Sequence, residues 1–521
     1  MRSVRPAASA ELLRVLSNPS RLLAGRGPPV VDYPMALETA DAAPVLPRVL
    51  RRFALFAIAF SIVSITTGIF VNYSYGLTQL GPAAVWLWPV AVLGQLLVVL
   101  VLAELAGHMP LAGANYQWTA RLVGTRFGYA VGSLGVLYGA VGLPGIALIG
   151  LAPLTATVLG LDARDGRLLV FLAALALVVA YLVNVVRVQW AAKVNNVAVF
   201  AEIAGTVVLS VVVFLAWVRG GSGTPDGGHG LAFLTTVNPG TPLADGIVGG
   251  ALVGLFTLVG FEAAADMAEE AVDARRSVPR AMIASVGVSG VLGMIALVGF
   301  TVAIPDLGAI EASPVPLADI AAYWLGPVLT RVFLVVVVFS MFALVVVAAA
   351  SNSRLLFAMA RDGLLPGSRR MARVHPRTGT PVAALLVSLG VCLLLLAYGS
   401  LDGDAFTVLV GATALVPYLV YLLTLGGYLA RRRRLLEQGP GGFRLGRAGL
   451  PVAGLALLWL VSVTAALTLP DAFRSADYVV LGALALAGLW YVVALRRRLR
   501  DGTAGLSAPV VEEADAPRVE A

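Results

Sequence analysis

Cysteine, histidine and charge are scarce in this chain, and each shortage excludes a class of protein. The 521 residues include one cysteine and three histidines. The single Cys392 cannot form an intramolecular disulfide, and His108, His229 and His375 are too far apart in sequence to suggest a metal cluster. Only 13% of the residues are charged, against about 25% in ordinary soluble domains. We therefore expect neither a soluble protein nor a metal or cofactor site.

Motifs for enzymatic chemistry are missing as well. The sequence has no H-E-x-x-H zinc motif, no G-x-S-x-G nucleophile elbow and no P-loop. We predict that the chain is not an enzyme and is not driven by nucleotide hydrolysis. A membrane sensor without transport is a remote alternative, because a sensor needs a sizeable soluble domain and neither end of the chain is long or rich in motifs.

Apolar residues are what the chain has in abundance. They make up 59% of it, and the mean hydropathy is +0.90. Runs of about 20 apolar residues, the length that crosses roughly 30 Å of hydrocarbon, occur near 53–72, 83–107, 127–159, 168–187, 194–218, 246–271, 281–304, 326–358, 381–399, 404–430, 451–469 and 476–495. Backbone polar groups in lipid must be satisfied within the segment, so these runs read as helices. The sequence predicts an all-α protein with twelve transmembrane helices, embedded in the lipid bilayer.

The net charge of +8 reflects orientation in the membrane. Basic residues cluster in alternate connections, as in the runs 431–434 and 496–500, while the other connections carry mainly acids such as Asp162 and Asp306. This is the positive-inside pattern, and it predicts a multi-pass cell-membrane protein with both termini in the cytoplasm. The basic excess does not indicate a nucleic-acid partner.

Two of the apolar runs are interrupted by small or polar residues. The first reads "FAIAFSIVSITTGIFVNYSYG" and the sixth "GGALVGLFTLVGFEAAADMAEE". They hold equivalent positions if helices 1–5 and 6–10 form an inverted repeat, about 50–218 and 246–430, followed by helices 11 and 12. Paired interruptions of this kind mark a midplane transport site, although small residues also serve close helix packing. We expect a transporter domain over 47–499, a disordered cytoplasmic tail over 1–46 and a second tail over 500–521.

Four stretches in order resemble the amino acid–polyamine–organocation superfamily, and within it the amino acid/choline transporter family. They are "FSIVSITTGIFVNYSYG" with the segment that follows it, "GFEAAADMAEEAVDARRSVPRAM", "SNSRLLFAMARDGLLP" and "HPRTGTP". The resemblance covers roughly residues 50 to 495. It implies a fold of two inverted repeats of five helices, with helices 1 and 6 broken around the substrate.

The two interruptions predict the substrate site. Unwinding near Ser64 and over Thr66, Thr67, Gly68 and Ile69 would leave helix-terminal N–H groups that can bind a carboxylate. Unwinding over Leu258, Val259, Gly260 and Phe261 would free carbonyl groups for an ammonium group, and the resemblance implies the same arrangement. Phe261 is expected either to close over the substrate as a gate or simply to pack.

Acidic residues follow the second interruption. Glu262, Asp266, Glu269 or Glu270, and Asp273 recur at helical spacing, so we expect them on one helical face that borders a water-accessible pathway. Glu262 and Asp266 are expected near the substrate. The more cytoplasmic Glu269, Glu270 and Asp273 are expected to pair with the following loop arginines, such as Arg276, and to form an inner gate.

Glu202 lies within the apolar fifth segment and is predicted to be the proton-responsive group. In proton-coupled relatives the resemblance implies a lysine at this position, so glutamate is a departure. Ser351 and Asn352 are expected to complete a polar or sodium-like pocket nearby. The alternative is that Glu202 only packs, hydrogen-bonded to neighbouring backbone or to Asn196.

These features predict a secondary active transporter that imports an amino acid or related amine by alternating access, with the proton as coupling ion. A substrate that has both a carboxylate and an amine fits the predicted breaks best. The alternatives are an exchanger for amino acids or polyamines, and a permease for choline or 4-aminobutyrate.

Overall fold

A computed structural model describes residues 46–186, 188–220, 230–240, 242–313, 315–401, 403–437, 441–470 and 474–506. The chain divides into two units. The first, Met1–Ala43, lies outside the described residues, and so do the tails predicted for 1–46 and 500–521, apart from Leu46 and residues 500–506. All that follows concerns the second unit, Pro44–Ala521.

The described residues form an all-α protein, which confirms the predicted fold class. The helices are α1 (Arg52–Val63), α2 (Ile65–Leu80), α3 (Leu87–His108), α4 (Ala114–Leu122), α5 (Thr125–Gly145), α6 (Ala152–Leu159), α7 (Gly166–Val186), α8 (Val188–Gly220), α9 (Leu243–Thr257), α10 (Ala263–Asp266), α11 (Ala274–Val302), α12 (Leu307–Glu311), α13 (Pro316–Arg361), α14 (Ser368–Met371), α15 (Val382–Leu401), α16 (Gly403–Glu437), α17 (Gly449–Thr468), α18 (Arg474–Trp490) and α19 (Arg496–Arg500). Extended pairing in the described ranges is limited to one isolated bridge between Leu50 and Ala271.

Eleven helical segments in the described part of the chain are long and apolar enough to cross a membrane. The sixth apolar run differs, because its helix α9 has only 15 residues. At 1.5 Å per residue, α9 extends over about 22 Å, less than the hydrocarbon thickness of roughly 30 Å. Eleven of the twelve predicted crossings correspond to these long segments, and the sixth corresponds to the shorter helix α9.

Two other helices depart from regular geometry. The first long segment, Arg52–Leu80, is divided into α1 and α2 at Ser64. Helix α13 is kinked at Gly326, whose φ of +74° is non-helical, immediately before Pro327. From there α13 continues to Arg361 and carries three side chains of the site described below: Ser340, Ser351 and Asn352.

The segment before α1 closes one end of the helix bundle. The backbone N–H groups of Val49 and Leu50 both donate to the Glu270 carbonyl at 2.9 Å, and the Val272 N–H donates to the Leu50 carbonyl at 2.8 Å. Leu46 is buried beside the end of α13, against Leu356 among others. The chain entering α1 is therefore held directly against the acidic segment that follows α9.

Candidate functional site

A cavity of about 630 Å³ lies where the two interrupted segments meet, a volume in the usual range for a small-molecule site. Five of the predicted substrate residues line it: Ser64, Thr67, Gly68, Gly260 and Glu262. The other five predicted residues, Thr66, Ile69, Leu258, Val259 and Phe261, are buried outside its lining.

The first interruption is centred on Ser64, not on Thr66–Ile69 as the sequence predicted. Ser64 has φ +23°, α1 ends before it and α2 begins directly after it. Its side chain caps α2 by accepting a hydrogen bond from the Thr67 N–H at 3.2 Å, which is the normal role of serine at this position. Thr66 to Ile69 therefore form the first turn of α2 and are not unwound.

The predicted carboxylate site at the start of α2 is already occupied by protein groups. The Gly68 N–H donates to the Ser64 carbonyl at 2.9 Å, and the Thr66 N–H donates to Glu202 Oε1 at 3.1 Å. In this conformation the Gly68 N–H is therefore not available to a substrate carboxylate, and its role in binding stays a prediction. The reason is that α2 begins at Ile65, before the stretch predicted to be unwound, and a buried acid reaches its first turn.

Glu202, on α8, is only 1% exposed and makes four hydrogen bonds. Its Oε1 accepts from the N–H and the hydroxyl of Thr66 and from the Ser64 hydroxyl, at 3.1, 2.9 and 3.1 Å. Its Oε2 accepts from the Ser340 hydroxyl at 2.5 Å. The positive end of a helix favours an acid at this place. Glu202 thus links α2 to both α8 and α13.

The residues expected beside Glu202 lie elsewhere. Ser351 donates to Asp266 at 2.5 Å, and the Asn352 amide donates to Ser388 on α15 at 2.9 Å. The serine of α13 that contacts Glu202 is Ser340 instead of Ser351. Ser340 lies eleven residues before Ser351, which is about three turns or about 16 Å along the helix. The predicted grouping of Ser351 and Asn352 with Glu202 is wrong, and so is the alternative that Asn196 is the partner of Glu202.

The second interruption agrees with the predicted position. Helix α9 ends at Thr257, and residues 258–262 are non-helical. Gly260 has φ +85°, and a Cβ there would lie 2.1 Å from Ile62 Cγ2, so only glycine fits. Its N–H donates to the Tyr421 hydroxyl at 2.9 Å. The two interruptions are therefore packed directly against each other.

Phe261 lies behind the cavity wall. It is fully buried, and its ring stacks on Tyr421 with centroids 5.3 Å apart and an interplanar angle of 23°. Tyr421 in turn donates its hydroxyl to Glu262 Oε2 at 2.6 Å. This arrangement corresponds to the packing alternative for Phe261. Tyr421 was not among the predicted site residues, although a tyrosine in an apolar segment is a signal for a buried hydrogen bond.

Contrary to the prediction, the acids after the break do not lie on one helical face. Only Glu262 and Asp266 are related by a helical turn, in which the Asp266 N–H donates to the Glu262 carbonyl at 2.9 Å. A short 3₁₀ turn, Ala268–Glu270, follows, and Asp273 adopts a left-handed φ of +52°. Glu262 and Asp266 line the cavity, whereas Glu269, Glu270 and Asp273 are not among its lining residues.

The partners of Glu269 and Glu270 are arginines of α13, not Arg276. Glu270 pairs with Arg354 at 2.7 Å, and both side chains are completely buried. Glu269 pairs with Arg361 at 2.8 Å. Arg276 is exposed. Arg354 is an arginine within an apolar run, and such a residue signals a buried acidic partner, although Arg354 was not among the predicted site residues.

Comparison with known proteins identifies the family. The family model described as "Amino acid permease" matches residues 50–490. Among curated relatives, the amino-acid permease BAT1 homolog of Oryza sativa subsp. japonica is 27% identical over 84% of this chain and 88% of its own length. The amino-acid permease BAT1 of Arabidopsis thaliana is 26% identical over 85% and 90%. The GABA-specific permease of Saccharomyces cerevisiae is 27% identical over 78% and 73%.

A multi-pass helical bundle whose central cavity lies at two helix breaks defines a membrane transporter. The family match is to one group of such transporters, and the chain belongs to the amino acid permease family. It is therefore a transporter of small molecules and not an enzyme, as the sequence predicted.

Proposed function

We propose that this permease imports an amino acid or a related amine across the cell membrane, with its basic loops in the cytoplasm, and that it uses the proton gradient. The observation that supports this most strongly is the position of Glu202 at the start of α2. Helix α2 also lines the cavity, through Thr67 and Gly68. The names of the relatives, which refer to amino acids and 4-aminobutyrate, support the substrate class.

Protonation of Glu202 would loosen α2. An ionised carboxylate can accept all four observed hydrogen bonds, whereas a carboxylic acid carries a proton on one oxygen and accepts fewer. Hydrogen bonds to a charged acceptor are also stronger, by about twofold. Proton binding would therefore weaken the connection of α2 to α8 and α13, and allow α1 and α2 to move. The proton and the substrate would then act on the same helix.

The two buried or half-buried ion pairs would form the inner gate. Glu270–Arg354 and Glu269–Arg361 join the segment after α9 to the end of α13. Opening of the cavity toward the cytoplasm would require this segment to separate from α13. The role of inner gate that the sequence assigned to Glu269 and Glu270 is retained in this proposal, with Arg354 and Arg361 in the place of Arg276.

Uptake into proteoliposomes tests the proposal. The purified protein is supplied with arginine, glutamate, leucine, 4-aminobutyrate, choline or 1,4-diaminobutane, with and without an inside-alkaline pH gradient. We expect gradient-driven accumulation of at least one compound. Glu202→Gln should abolish accumulation and retain exchange, because glutamine keeps the shape of the side chain and cannot bind or release a proton.

The matched control is Asp165→Asn, which alters an exposed acid that caps the start of α7. It should accumulate substrate like the wild type. Gradient-driven accumulation by Glu202→Gln would refute the coupling role of Glu202. Uptake that ignores the pH gradient and needs preloaded substrate would show an exchanger instead.

A further inference from the structure

The two side chains at the cavity that can carry a charge at neutral pH are both acids. Glu262 and Asp266 line it, both half-buried, one helical turn apart. No lysine, arginine or histidine is among the lining residues in the described part of the chain. A carboxylate in such a place is costly unless a cation accompanies it.

Two other acids of the segment that follows α9 are paired with basic side chains of the protein. Glu269 and Glu270 each contact an arginine within 2.8 Å. Glu262 and Asp266, in contrast, have no ion pair among the described residues and accept hydrogen bonds only from the neutral hydroxyls of Tyr421 and Ser351. Neutral donors orient a carboxylate without cancelling its charge. A cationic ligand would supply the missing counter-charge.

A third group at the cavity has an acceptor oxygen without a hydrogen-bond donor. Asn352 lines the cavity and is only 6% exposed. Its amide nitrogen is bonded to Ser388, but its Oδ1 is buried without a hydrogen-bond partner among the described residues. A buried acceptor without a hydrogen-bond donor is unfavourable. An ammonium group, which only donates, is the complement of this oxygen and of both carboxylates.

The site offers little to a carboxylate on the substrate. Three N–H groups in the first turn of α2 already have protein acceptors: that of Thr66 donates to Glu202, that of Thr67 to the Ser64 hydroxyl and that of Gly68 to the Ser64 carbonyl. A substrate carboxylate would add a third negative charge beside Glu262 and Asp266. The rest of the lining is mainly apolar or glycine, including Gly135, Gly139 and Leu143, and suits a methylene chain.

We propose that the preferred substrate is an amine with two protonated nitrogens joined by a short apolar chain, held between Glu262 and Asp266 with Asn352 as a further acceptor. Residues one helical turn apart have Cβ atoms about 5–6 Å apart, a spacing that a four-carbon diamine can match. The inference rests on the proposed transport function and narrows its substrate class.

Three ligands with the same four-carbon chain test it: 1,4-diaminobutane, n-butylamine and 4-aminobutyrate. Their binding to the full-length protein in nanodiscs is measured directly by calorimetry. We expect 1,4-diaminobutane to bind at least tenfold more tightly than either of the others. Glu262→Gln and Asp266→Asn should each weaken diamine binding about tenfold and bring it close to that of n-butylamine.

The same variants should change 4-aminobutyrate binding in the opposite direction, because removal of one negative charge relieves repulsion of its carboxylate. Glutamine and asparagine can keep the hydrogen bonds from Tyr421 and Ser351, so a lost fold is not expected, and Asp165→Asn should leave all three affinities unchanged. Diamine binding that is no tighter than that of 4-aminobutyrate would overturn the inference.

Uptake of the same compounds separates the two proposals. Transport of leucine or 4-aminobutyrate in preference to 1,4-diaminobutane would refute the diamine inference and leave the transport function intact. Absence of uptake for the whole panel would refute both.

Discussion

A few glycines allow α2 and α9 to pack closely, and Gly68 has the least space for a side chain among them. A Cβ on Gly68 would lie 2.0 Å from Thr257 Oγ1 and 2.5 Å from Thr257 Cβ. Thr257 is itself fixed, because its hydroxyl donates to the Val253 carbonyl at 2.5 Å. No side chain larger than hydrogen therefore fits at position 68 without separating the two broken segments.

We predict that Gly68→Ala abolishes uptake and lowers the free energy of unfolding by about 1–3 kcal/mol, as overpacking commonly does. The measurements are uptake in proteoliposomes and the midpoint of thermal unfolding in detergent. Thr257→Ala in the same chain should restore part of the stability, because it removes the nearest atom.

Gly390→Ala is the control for this prediction. Gly390 lies within α15, and a Cβ there would meet no atom within 4 Å. Alanine is a better helix former than glycine by up to about 1 kcal/mol, so this variant should be as stable as the wild type or more so. A Gly68→Ala protein as stable and active as Gly390→Ala would contradict the close approach described here.

At the residue scale, sequence identifies buried acids more readily than their partners. Glu202 could be singled out because an acid within an apolar helix must serve a purpose. Its contacts could not be inferred, since Thr66 and Ser340 are 136 and 138 residues away in the chain. Only the packing of three helices brings these hydroxyls to one carboxylate.

At the scale of elements, the break after α9 was predictable and the path beyond it was not. Glycine and the change from apolar to acidic residues locate the end of α9. The chain then forms a single helical turn, a 3₁₀ turn and a left-handed residue at Asp273. This path is set by long-range contacts with Arg354, Arg361 and the strand-like pairing of Leu50. The prediction of one helical face fails there because α10 ends at Asp266 and no continuous helix connects it to the later acids.

The buried ion pair of this segment gives a prediction at the same scale. Glu270→Gln should lower the free energy of unfolding by about 3–5 kcal/mol, because it leaves the Arg354 charge buried without a counter-charge. Thermal unfolding in detergent measures the loss. Glu270→Leu combined with Arg354→Met should recover much of it, since replacing both charges removes the desolvation cost along with the attraction.

The exposed pair Arg497–Asp501 is the matched control. Its atoms are 3.6 Å apart, and the side chains are 87% and 50% exposed. Asp501→Asn should change the free energy of unfolding by less than about 1 kcal/mol. If Glu270→Gln and Asp501→Asn lowered the free energy of unfolding equally, burial would not determine the contribution of the Glu270–Arg354 pair to stability.

At the scale of the whole molecule, the order of apolar and charged segments in the sequence was enough to predict the fold class. Long apolar segments and the alternation of basic and acidic connections predict a multi-pass helical bundle, because lipid tolerates little else. The cavity could be located only approximately, at the paired interruptions. The sequence could not predict which acids line the cavity without a basic partner, because this depends on which acids form an ion pair with an arginine in the folded chain.

The charge pattern also predicts how the whole molecule is oriented, and the chain is well suited to testing it. Its single cysteine, Cys392, is buried, so the wild type should give no signal with a membrane-impermeant maleimide. Asp162→Cys places a thiol in the exposed connection between α6 and α7, and Arg433→Cys places one in the exposed basic end of α16. On intact cells only the first variant should be labelled, because basic connections stay in the cytoplasm. Opening the membrane should expose the second to the reagent. The reverse pattern would invert the molecule in the membrane, and would turn the Glu269–Arg361 and Glu270–Arg354 pairs from an inner into an outer gate.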